Sequence, residues 1–151
     1  MPNKNWEILS SMQLGQYGEY YAKMEFASYG FDVYTSGVDD HGIDFIAKNS
    51  KSRYFELQVK SIRNKSYVYM KKNKWNIEDN SLYLSLLLFE NGDLPQAYLI
   101  PATAWKTENR LFRYKDYEGL KSAPEYGLNI SEKNMQLLCD YNLENAIKAI
   151  L

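Results

Sequence analysis

Asp44, Gln58 and Lys60 stand on two short segments, "GIDFIAK" and "FELQVKS", whose remaining residues alternate between apolar and polar. That period over a few residues marks a strand with one buried face. The intervening "NSKS" has the composition of a hairpin loop. A register with Ile46 opposite Glu56 puts Ile43, Phe45 and Ala47 on the same face as Phe55, Leu57 and Val59, as burial demands. The same register sets Asp44 opposite Gln58, where Cβ atoms lie roughly 4.5–5.5 Å apart. Lys60 is next along the polar face.

A carboxylate, an amide oxygen and an ammonium in one cluster suit metal-assisted phosphodiester hydrolysis. Mg²⁺ is a hard ion that takes oxygen ligands. It polarises a phosphate and helps to generate a hydroxide nucleophile. A neighbouring lysine orients the water or stabilises charge building on the phosphate. Each residue also has a plainer reading: Asp44 as a turn cap, Gln58 and Lys60 as solvent-facing strand residues. What favours the site is the register that brings all three together.

The elements that must position this hairpin follow from pattern. Residues 6–29 carry apolar groups at Ile8, Met12, Leu14, Tyr17, Tyr21, Met24 and Phe26, a helical spacing, and Gly30 ends the helix. Residues 31–36 read as a strand before the turn-rich "GVDDHG", and residues 66–70 as an extension of the meander. "SLYLSLLLF" (81–89) is apolar enough for a strand covered on both faces. An Asn-Gly turn leads from it into a strand at 96–100. Residues 131–151 read as one or two amphipathic helices with Ser131 as N-cap. No repeat or linker interrupts the chain, so a single α/β (α+β) domain over residues 1–151 is expected, with an antiparallel meander in the sheet and flanking helices.

Composition narrows the function. A 151-residue chain with 45% hydrophobic and 25% charged residues is ordinary for a globular domain, although 14 Tyr make it rich in aromatics. The one Cys and one His exclude an internal disulfide and a zinc site of the usual kind. The N-terminus has no signal-peptide pattern, and no apolar run approaches the roughly 20 residues of a membrane span. A cytoplasmic protein without membrane contact is expected. Net charge is only −1, but residues 48–74 hold nine of the 18 Lys and Arg against a single acid, Glu56. Such a stripe is either a solvated basic hairpin or the footprint of a polyanion. Tyr67 and Tyr69 share one strand face, where they would stack on bases or pack on each other. Cys139, beside Leu137 and Leu138, reads as a core thiol. Asp39, Asp40 and His41 fit either a turn or the edge of a metal site.

The stretch "GEYYAKMEFASYGFDVYTS" together with "GIDF" and "FELQVKS" resembles the PD-(D/E)XK nuclease superfamily. It is most like the Holliday-junction resolvase-like and Mrr-like endonucleases and related bacterial families of unassigned function. The resemblance covers residues 15–61 and implies a restriction-endonuclease-like core with a central mixed sheet. By position it implies catalytic roles for Glu19, Asp44, Gln58 and Lys60, with Asp44, Gln58 and the Val59 carbonyl holding Mg²⁺ or Mn²⁺. Glu19 has a structural alternative in an i,i+4 pair with Lys23. The implied partner is DNA, duplex or branched, gripped by Lys48, Lys51, Arg53, Arg63, Lys65, Lys71 and Lys72. A homodimer would let two strands be cut. Gln58 departs from the commoner acidic residue, removing a negative charge from the site. An inactive nuclease-fold module that binds nucleic acid or a protein partner is therefore the alternative.

Overall fold

The computed structural model describes residues 1–35 and 42–151. A 3-10 turn at Trp6–Ile8 precedes helix α1 (Ser11–Ser28). The expected unbroken helix from residue 6 is divided here because Ser10 caps α1. Its hydroxyl accepts from the Gln13 N–H at 3.1 Å, and the Gln13 side chain accepts from the Ser10 N–H at 2.8 Å. Gly30, at φ +90°, follows the helix as expected. The buried stripe of α1 is Leu14, Gly18, Ala22 and Phe26, at intervals of four, whereas Ile8, Met12 and Met24 are exposed.

Strands β1 (Asp32–Thr35), β2 (Phe45–Lys48) and β3 (Tyr54–Ile62) form an antiparallel meander. The β2–β3 register is the expected one, with Phe45 opposite Leu57 and Ile46 opposite Glu56. β4 (Tyr67–Lys71) does not extend this sheet. After it, β5 (Leu82–Leu88) returns parallel to β3, and β6 (Gln96–Pro101) runs antiparallel to β5. The mixed sheet thus has the order β1-β2-β3-β5-β6. β4 pairs instead with β8 (Glu125–Asn129), which also pairs with β7 (Phe112–Lys115), in a second, three-stranded sheet. The reason is burial: Val68 and Met70 on β4 face the apolar β5 side of the large sheet, together with Trp105, Phe112 and Leu128.

Two cores result. On the α1 side Phe45, Ala47, Phe55 and Leu57 are sealed against Phe26 and Leu87, with Val59 alongside. On the other side Leu84, Leu86 and Ile100 pack under the second sheet. β5 feeds both, which is why its sequence is apolar on both faces apart from the buried Ser85. Ile43 belongs to the second core and not, as its parity suggested, to the first. The C-terminal segment is a chain of short helical turns, including α2 (Met135–Leu138) and α3 (Leu143–Ala146), in place of regular helices. Ser131 makes no side-chain cap bond, while Asn142 caps α3 by accepting from Asn145 N–H. Cys139 is exposed, since Leu138 takes the inward position.

α1 lies so close to β3 that a Cβ at Gly18 would collide with Ser61 Oγ and stand 3.0 Å from Leu87 Cδ1. Gly18→Ala should therefore destabilise the protein by about 1–3 kcal/mol through overpacking, against its gain in helix propensity. Adding Ser61→Ala, which removes the colliding hydroxyl, should recover part of that loss in urea unfolding. Additive behaviour of the two changes would contradict the contact.

Candidate functional site

β3 outruns β2. The ladder ends at Phe45–Leu57, while β3 continues to Ile62. Hydrogen bonds from Glu56 N–H to Ser81 and from Phe89 N–H to the Ile62 carbonyl show that even-numbered backbone groups of β3 face β5. By alternation the N–H and C=O of Val59 face the opposite edge, beyond the start of β2. Asp44 occupies that edge. Its N–H donates to the Leu57 carbonyl at 2.8 Å, and its Oδ2 accepts from the Val59 N–H at 2.7 Å. Asp44 is therefore not a regular ladder partner of Gln58; it reaches β3 through bonds of its own.

Gln58 and Lys60 rise from the polar face of β3 into a cleft of about 430 Å³ between β3 and β4. Gly42, at φ +74°, lies against the Gln58 amide; a Cβ there would be 3.6 Å from Nε2. Across the cleft stand Tyr67, Tyr69, Lys71 and Lys74. Lys60 Nζ lies 6.0 Å from the Tyr69 ring centre, at the limit of cation–π contact. Burial pushes the Lys60 ammonium below its ordinary pKa, and the nearby Asp44 carboxylate offsets part of that shift. Asp44, Gln58, the Val59 backbone and Lys60 are thus gathered at one end of β3.

Glu19 pairs with Lys23 at 3.1 Å, as the i,i+4 spacing suggested. Lys23 in turn donates to Thr35 Oγ1 at 3.3 Å, placing this pair by the end of β1. Asp39, Asp40 and His41 lie outside the described residues. Among the described residues no three His, Cys, Asp or Glu side chains cluster as a metal cage would need.

The basic segment is divided by the fold. Lys48, Lys51 and Arg53 are at the tip of the β2–β3 hairpin, the opposite end of β3 from Lys60. Lys48 pairs with Asp32 at 3.7 Å, and Arg53 donates to the Asn80 carbonyl at 3.0 Å. Arg63 donates to the carbonyls of Trp6 and Leu9 at 2.8 and 2.6 Å, bracing the N-terminal turn. Lys65 pairs with Glu132 at 2.9 Å and Lys72 with Asp116 at 2.6 Å. Only Lys71, of those seven, lines the cleft, joined by Lys74. Tyr67, Tyr69 and Lys71 were candidates from the sequence, but their place as the far wall of a cleft was not, because β4 belongs to the second sheet.

Because the folded-state pKa of Lys60 lies below its ordinary 10.5, burial penalises the ammonium wherever the folded chain keeps it charged. The penalty fades as pH rises through the window between folded and unfolded values, where the unfolded chain binds more protons. Lys60→Met should accordingly melt above wild type at pH 7, with the difference narrowing toward pH 10.5. Asp44→Asn should lower the Lys60 pKa further, read from the pH titration of its side-chain ¹³Cε resonance.

No protein-family model and no curated protein matches the chain. A solved structure does: the 1.6 Å structure of Hjc, a Holliday junction resolvase from the archaeal hyperthermophile Archaeoglobus fulgidus. The likeness covers 82% of this chain and 88% of that one at 14% sequence identity, with a TM-score of 0.50. This mixed sheet with its packed helix has the restriction-endonuclease-like fold of a Holliday junction resolvase.

Proposed function

We propose that the chain is a divalent-metal-dependent nuclease that hydrolyses phosphodiester bonds in DNA. The observation that carries this reading is the joint placement of the Asp44 carboxylate, the Val59 backbone and the half-buried Lys60 at the edge of β3 beyond β2. The likeness of the fold to a resolvase supports it. The donors are oxygens of the hard kind that Mg²⁺ and Mn²⁺ select, so the set fits such an ion. Asp44, the Gln58 amide oxygen and the Val59 carbonyl would hold it. When bound, the ion would polarise the scissile phosphate and lower the pKa of a coordinated water. Lys60 would donate to a phosphate oxygen and stabilise the charge that develops there. Glu19, on the helix flanking the same end of the sheet, would assist. Lys48, Lys51, Arg53, Arg63, Lys65 and Lys72 would contact more distant phosphates of a long substrate. Two copies acting together, in the cytoplasm, would cut the two strands.

One observation favours a second reading, a module that binds without cutting. Gln58 supplies an amide where a carboxylate would hold the ion more firmly, and no carboxylate is among the described residues lining the cleft. Cleavage assays separate the two. With Mg²⁺ or Mn²⁺, supercoiled and four-way-junction DNA should be cut by wild type, and Asp44→Ala and Lys60→Ala should each slow cutting by at least about 10²-fold. Complete inactivity on every substrate, with binding indifferent to Asp44→Ala, would favour the binding module. Gln58→Glu should tighten Mg²⁺ binding by about tenfold in calorimetric titration, because affinity follows ligand charge.

A further inference from the structure

The second sheet turns one face to the core and the other outward. On β4, Val68 and Met70 are buried, and Tyr67, Tyr69 and Lys71 alternate with them. In register, Lys71 lies opposite Glu125, Glu125 opposite Lys115, and Tyr69 opposite Gly127, which pairs with Arg113. The outer face is therefore a lattice of tyrosines and cations. Lys115 Nζ sits 4.0 Å above the Tyr67 ring, and Tyr69 keeps 48% of its surface exposed. The acids on this face are few: Glu125 is buried, and Glu108 is held by Arg113 at 3.6 Å.

This face runs into the cleft that holds Gln58. Lys60, Lys71 and Lys74 project into it, with no carboxylate among the described residues of its lining. The geometry points to a binding track for an unpaired nucleic-acid strand, running from the edge of β3 over Tyr69, with its phosphates on these three lysines. Three features favour an unpaired strand over a duplex. A cleft of about 430 Å³ has the volume of a small-ligand pocket, room for a nucleotide. A duplex, whose major groove alone is roughly 12 Å wide, would lie across it. A half-exposed tyrosine beside a lysine offers a stacking surface that only an unstacked base can use. The track deepens the nuclease reading and rests on it for orientation: the strand would meet Asp44 and Lys60 where it leaves Tyr69.

Binding in metal-free buffer tests the track without catalysis. The full chain should bind a fluorescent oligonucleotide of about twelve nucleotides, deoxy or ribo, more tightly than a blunt duplex of equal length. Tyr69→Ala should weaken single-strand binding roughly tenfold, the loss of one base stack, while Tyr69→Phe retains it. Lys71→Ala and Lys74→Ala should each flatten the salt dependence. Tyr69-dependent binding of either strand type supports the track, and the ratio of the two says which sugar it prefers. Equal or tighter binding of the duplex, or a Tyr69→Ala protein that folds and binds single strands as wild type does, overturns it. If wild type cuts DNA while Tyr69→Ala binds normally, the track falls and the nuclease reading stands. If the chain cuts nothing yet binds through Tyr69, the reverse holds.

Discussion

The hydrogen bond from the Val59 N–H to the Asp44 carboxylate, at 2.7 Å, is where fold and site become one problem. β3 continues past the start of β2, so its outer backbone groups lose their strand partner in a half-buried place. An unsatisfied group there would cost about 1–3 kcal/mol. A carboxylate answers with a charge-assisted bond, stronger than a neutral one. The bond also fixes where the carboxylate points, along the open edge of β3. Gly42, in a backbone conformation that suits glycine, lets the chain pass against Gln58 on its way to that bond. A residue recruited to finish a sheet is thereby held in one orientation.

The cleft itself is a product of uneven patterning. β5 is apolar on both faces and draws a layer onto each. β3 is mainly apolar toward α1; its other face carries Glu56, Gln58 and Lys60 before Ile62 joins the second core. The second sheet packs on the β5 side through Val68, Met70 and Phe112, and an apolar sheet gains nothing by covering lysine and glutamine. The space left beside Lys60 is where hydrophobic burial stops. Closing over it even partly is what lowers the proton affinity of Lys60.

Much of this was legible in the residues. Alternation in "FIAK" and "YFEL" specified the hairpin register because a slip of one would expose both apolar side chains of the strand that moved. It failed at Ile43, beyond the last ladder pair, where parity no longer governs and the chain bends to the other core. The capping box at Ser10 was present in the sequence, but the apolar spacing through Ile8 hid it. The fate of β4 was not legible, since pairing with β8 joins segments more than fifty residues apart and no local pattern records that. The spread of the basic segment was not legible for a related reason. Consecutive lysines on a hairpin are distributed over a tip, two faces and several ion pairs, so a linear cluster does not make a surface patch.

The charges at the site bear on why Gln58 is tolerable. Asp44 is one carboxylate facing Lys60, with Lys71 and Lys74 close by, so the cleft is already cationic before any ion arrives. A divalent ion alone would be held weakly there. A phosphate alone would not. On the proposed reading the substrate supplies the negative charge that an acidic residue at position 58 would otherwise provide, and ion and phosphate each raise the affinity for the other by the same factor. Gln58 then makes metal loading tighter with substrate than without it, and the lysines that weaken the hold on the ion are what bring the phosphate to it.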